Sequence, residues 1–77
     1  MDTYTNSSTL SERECQIMEL VAIGKLNKEI ADKLKIKPDT IAKHLSNVFR
    51  KLKVQNRIEA TVKFLNLNNL LEHFNLN

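Results

Sequence analysis

The chain has 77 residues, with twelve Lys or Arg against nine Asp or Glu and a net charge of +3. That length predicts one small domain with a modest core and no second domain. One cysteine, Cys15, excludes an internal disulfide. The absence of a long apolar run or a basic-then-apolar start predicts no membrane span and no signal peptide, hence a cytoplasmic protein.

Residues 1–9 are polar and rich in Ser, Thr and Asn, as in a flexible leader or linker end, so the folded domain is expected over 10–77. Ser11-Glu-Arg-Glu14 is a capping box. The Ser11 side chain can accept from the Glu14 amide while Glu14 reaches back, which starts a first helix. Ile17, Met18, Leu20 and Val21 recur at helical spacing, and Gly24 stops the helix because glycine takes the left-handed conformation without penalty. Asn27 is the expected N-cap of a second, two-turn helix with Ile30, Ala31 and Leu34 as its stripe. A helix that short does not persist alone in water and has to be held by its neighbours.

Pro38 suits the first position of a third helix, and Ile36 with Ile41 is spaced for a hydrophobic staple. Ile41, Leu45, Val48, Phe49 and Leu52 cluster on one face, with Lys43, Ser46, Asn47 and Arg50 opposite. Asn56 and Glu59 form a second capping box, opening a fourth helix with two apolar stripes. Ile58, Val62 and Leu65 make one; Ala60, Phe64, Leu67, Leu71 and Phe74 make the other, at heptad spacing. One stripe packs on the domain's own core. The other either pairs with a second copy, or is covered by a tail that turns near Asn68-Asn69. The heptad stripe, Ala60, Phe64, Leu67 and Leu71, is assigned to the pairing. No strand pattern is present, so the expected fold is all-α: four short helices containing a helix-turn-helix, the fourth for dimerisation.

Charge is uneven along this scheme. Lys25 to Lys63 holds eleven Lys or Arg and four acids, whereas the remainder holds one Arg and five acids. A basic middle suits a polyanionic partner, although a solvated, unevenly basic surface has the same charge. Two helices joined by a short turn, the second basic on its outer face, describe a helix-turn-helix. An α-helix fits the major groove of duplex DNA, where Lys can donate to guanine acceptors and Asn can pair with adenine. The inventory argues against an enzyme. Two His and one Cys lack metal-ligand spacing, there is no glycine-rich phosphate loop, and no nucleophile has a base partner. No metal or other cofactor is expected. His73 stands alone, and Cys15 reads as a small apolar helix residue.

Leu10 to Leu67 resembles the LuxR-type, GerE-like helix-turn-helix family. The resemblance rests on Leu10-Ser-Glu-Arg-Glu14, Asn27-Lys-Glu-Ile-Ala31, Thr40-Ile-Ala-Lys-His44, Lys51-Leu-Lys-Val54 and Asn56-Arg-Ile-Glu-Ala60, in the family's order and spacing. It implies a bacterial transcription regulator that binds double-stranded DNA as a homodimer through its fourth helix, with RNA polymerase as a possible further partner. The recognition helix would run from about Pro38 to Lys51. Carried over by position, Lys43, Ser46 and Asn47 would face base edges, with Ala42 beside them to touch a thymine methyl. Thr40, His44, Arg50 and Lys51 would approach phosphates. Asn27 and Lys28 would grip backbone at the start of the second helix. Glu29 and Arg57 would form a structural pair. Three residues depart from the pattern: Lys37 stands where a capping Ser is usual, Lys53 where glycine is common, and Gln16 where an acid is common. The alternative function is a protein-interaction module that retains the helix-turn-helix fold.

Overall fold

The computed structural model describes residues 10–67. Four helices make up the described chain: α1 (Glu12–Ala22), α2 (Asn27–Leu34), α3 (Pro38–Leu52) and α4 (Arg57–Leu67). Among the described residues there is no strand. The architecture is the all-α helix-turn-helix that the periodicity predicts, with α2 and α3 joined by a three-residue turn.

The helix ends follow from local chemistry. Glu14 N donates to Ser11 Oγ at 3.1 Å, and Ser11 N donates to Glu14 Oε1 at 2.8 Å. Two amides that α1 cannot pair are thereby satisfied. Gly24 takes φ +90 just past the end of α1, where a side chain would be strained. The start of α2 differs from expectation by one residue. Leu26 is the cap and Asn27 is the first helical residue; Glu29 Oε1 accepts from Leu26 N at 2.8 Å. At α3, Lys37 caps with backbone alone and Pro38 follows at the first turn. A missing side-chain cap weakens such a start by roughly 1 kcal/mol. The α4 box is offset. Asn56 Oδ1 accepts from Glu59 N, but Glu59 Oε1 reaches the amide of Gln55.

Two lysines end helices in the left-handed region, Lys35 at φ 62 after α2 and Lys53 at φ 59 after α3. Each bears a steric cost that glycine would avoid. Lys53 therefore tolerates the conformation that its usual glycine provides.

The core gathers one face from every helix. Ile17, Met18, Ile30, Ile41, Val48 and Phe64 are fully buried, with Leu10, Cys15, Val21, Ala31, Leu45, Leu52 and Ala60 around them. Phe49 and Leu67 pack against this cluster at its edge. The heptad stripe of α4 is thus the inward one. Ala60 and Phe64 have no exposed surface, which corrects their assignment to a dimer contact. Each belongs to its own core, because α4 closes the groove between α1 and α3. Leu71, Phe74, His73 and the expected turn near Asn68-Asn69 lie outside the described residues. The outward stripe of α4 carries Ile58, 77% exposed, and Val62, 49% exposed.

Candidate nucleic-acid interface

The buried stripe of α3 fixes which of its residues face out. With Ile41, Leu45, Val48 and Leu52 turned inward, Ala42, Lys43, Ser46 and Arg50 are exposed. Thr40, His44 and Asn47 are half-buried on the flank. The face therefore carries two long cations, a hydroxyl, an amide and a methyl, and no acid beyond Asp39 in its first turn. Its amide is held: Arg50 Nη1 donates to Asn47 Oδ1 at 2.9 Å.

Lys51 departs from its expected role. Its ammonium lies 2.8 Å from Glu14 Oε1, tying the end of α3 to the start of α1 across 37 residues of sequence. Glu14 is buried among core residues. Burial alone would raise its pKa. The hydrogen bond from Lys51, the backbone donor of Ser11 and the Lys51 charge together outweigh it, so the carboxyl titrates below its ordinary value of 4.5. A carboxyl with a depressed folded pKa contributes stability above its unfolded pKa and loses it as pH falls through the folded one. Urea midpoints measured from pH 7 to pH 3 should fall in the acid limb. In Glu14→Gln, which keeps the shape but not the charge, that limb should flatten. A limb of unchanged steepness in E14Q would place the acid sensitivity elsewhere.

Arg57 also departs from its expected partner. Its guanidinium donates to Asn27 Oδ1 and to the Lys25 carbonyl, each at 2.8 Å, while Glu29 is occupied at Leu26. The structural tie is therefore Arg57 to Asn27, not Arg57 to Glu29. It joins the first residue of α4 to the first residue of α2. The Asn27 side chain retains its Nδ2 donor for another partner. Lys28 beside it is exposed, and no side chain of Leu26 caps the first-turn amides of α2. Those amides and Lys28 present positive potential on the same helix start.

The family description "Bacterial regulatory proteins, luxR family" matches residues 8–64. The chain belongs to the LuxR family. It is similar to the transcriptional regulatory protein DesR of Bacillus subtilis (strain 168), 45% identical over 80% of this chain and 31% of that protein. It is also similar to the nitrate/nitrite response regulator protein NarP of Escherichia coli (strain K12), 43% identical over 75% of this chain and 27% of that one. The chain thus spans under a third of those two relatives. The spore germination protein GerE of Bacillus subtilis (strain 168) is 36% identical over 87% of this chain and 90% of its own length.

Within the LuxR-family frame, the motif stretches serve two purposes. Ser11, Glu14, Asn27, Lys51 and Arg57 are held by one another or by backbone, and the Glu14–Lys51 and Asn27–Arg57 bonds tie one helix to another. Lys28, Ala42, Lys43, Ser46 and Arg50 remain on the surface. Sequence reasoning missed the Glu14–Lys51 bond because capping already explained Glu14. The missed signal was an acid flanked by buried Cys15, Ile17 and Met18, a position that calls for a cation. No helix among the described residues is long and apolar enough to cross a membrane.

Proposed function

We propose that this domain is a sequence-specific DNA-binding transcription regulator that inserts α3 into the major groove. The observation that carries this reading is the outer face of α3, where Lys43, Ser46 and Arg50 stand exposed and basic on a rigidly packed helix. Lys43, Ser46, Asn47 and Ala42 meet base edges. Thr40 and His44 approach the phosphates on either side, Arg50 stays beside Asn47 at the edge of the groove, and Lys28 and the α2 amides grip backbone. Lys51 is paired with Glu14 and is left out of the phosphate contacts.

Two copies pair through the outward stripe of α4, Ile58 and Val62, and set two α3 helices about 34 Å apart on an inverted repeat. Bound in this way, the regulator recruits or blocks RNA polymerase in the bacterial cytoplasm. The competing reading, a protein-interaction module, draws on a cleft of about 400 Å³ lined by Leu20, Ile30, Lys25, Glu29, Asp32 and Lys33. Ile23 and Leu26 stand exposed in the turn between α1 and α2.

Selection of duplexes from a random-sequence pool tests the proposal. Enrichment of two half-sites, with affinity falling by a slope of about −0.9 per phosphate contact against log salt, is the expected result. Absence of retention at low salt would refute it and leave the interaction module. Roles separate by substitution. Lys43→Ala should cost roughly 1–3 kcal/mol of cognate binding and relax preference at one base pair, whereas Lys28→Ala should weaken all duplexes alike. Binding titrations against a panel of single-base variants distinguish the two; identical profiles would show the base-reading assignment to be wrong.

A further inference from the structure

Residue type alone would give Asn47 an adenine partner. That pairing needs the carboxamide to present Oδ1 to the N6 amino group and Nδ2 to N7 side by side. In the folded chain Oδ1 is already taken by Arg50 Nη1 at 2.9 Å. A guanidinium has donors and no acceptor, so the end of the amide that faces it is the oxygen. The carbonyl is turned along the helix towards the next turn, and the NH₂ group is what Asn47 retains for a base. Lys43 lies one turn before Asn47, and Arg50 three residues after it, both exposed. Such neighbours have Cβ atoms about 5–6 Å apart. An ammonium, an amide NH₂ and the remaining guanidinium N–H groups therefore line one strip of α3.

The geometry points to a donor-only reading strip, Lys43–Asn47–Arg50, that selects guanine and rejects adenine at the base pair facing Asn47. This rests on the DNA-binding reading above and names the base chemistry it takes. Guanine offers N7 and O6, two acceptors, to the major groove; adenine offers one acceptor and the N6 donor. A donor at N6 would meet two cations and the NH₂ group. The second lone pair of Oδ1 lies beside the Arg50 charge, so an approach to it brings donor against donor. Arg50 is a positioning residue here: it orients Asn47 and thereby sets the preference.

Three proteins, each given the same random duplex pool, test this. Asn47→Ala locates the base pair, as the one position whose preference is lost relative to wild type. At that position the wild type should select guanine, with adenine disfavoured by roughly 5- to 100-fold and 7-deazaguanine, which lacks N7, also weakened. Arg50→Met removes the guanidinium but keeps the length of the side chain. It should move the preference at that one position from guanine towards adenine and leave the others as they were. A merely phosphate-binding Arg50 would lower affinity without moving any preference. Arg50 is exposed, and unchanged circular dichroism in R50M would establish that the fold is intact. Adenine at the located position in wild type, an unmoved preference in R50M, or no position relaxed in N47A each overturns the donor-only strip while the DNA reading stands. A pool with no enriched motif at all overturns both.

Discussion

Phe64→Ala should bring the domain close to its unfolding midpoint at room temperature. Phe64 has no exposed surface and sits where α4 meets the α1 and α3 faces of the core. Truncating a fully buried phenylalanine to Ala costs about 3–5 kcal/mol, from lost transfer energy and the cavity left behind. Natural domains hold roughly 5–15 kcal/mol in all, and one this small lies near the bottom of that range. Urea melts followed by circular dichroism should therefore show a midpoint close to zero denaturant. A wild-type midpoint, with only self-association lost, would return Phe64 to the dimer surface that heptad spacing suggests.

The opposite outcome is expected six positions earlier, on the other side of the helix. Ile58→Asp changes a side chain that is 77% exposed, so stability should stay within about 0.5 kcal/mol of wild type. DNA binding should change in a diagnostic way. Two linked half-sites gain on the order of 10²- to 10⁴-fold over one when a single paired body engages both. I58D should lose that gain on a two-half-site duplex and bind a single half-site as the wild type does. Titrations on the two duplexes separate the effects. Equal affinity of I58D and wild type on both would place the pairing surface outside the Ile58–Val62 stripe.

These two residues also show how far sequence reasoning reaches. Helical periodicity located all four helices, and capping chemistry placed Ser11 and Gly24 at the ends of α1. Those signals are local: they depend on residues three or four apart. Periodicity also found both stripes of α4, Ile58 with Val62 and Ala60 with Phe64, but it carries no sign for which faces inward. Heptad spacing looked like an invitation to a partner, and the nearest partner was the chain's own core. Asn27 illustrates another limit. A good N-cap residue stands one place inside the helix, with its side chain held by Arg57, 30 residues later. Family position points Lys51 at phosphate, and capping α1 by itself accounts for Glu14. Their 2.8 Å bond depends on how α1 lies across α3, which no short window of sequence contains. The exposed face of α3, by contrast, was legible at Lys43, Ser46 and Arg50, since the buried stripe determines it by exclusion; Asn47 lies half-buried on its flank.

The Arg57 guanidinium, seated on both Asn27 and the Lys25 carbonyl, fastens the outer end of α4 to the turn ahead of α2. Two hydrogen bonds from one planar group resist twisting more than one bond does. In a pair joined at α4, the two groove-entering helices would then keep a fixed phase with respect to each other. Adding one base pair between half-sites rotates one of them by about 35° around the duplex axis, at roughly 10–10.5 base pairs per turn. With little torsional play at this joint, the protein would have to shed contacts on one side or twist the DNA. Operator spacing would accordingly be conserved more tightly than operator sequence, and regulation would respond to supercoiling, which alters the same angle.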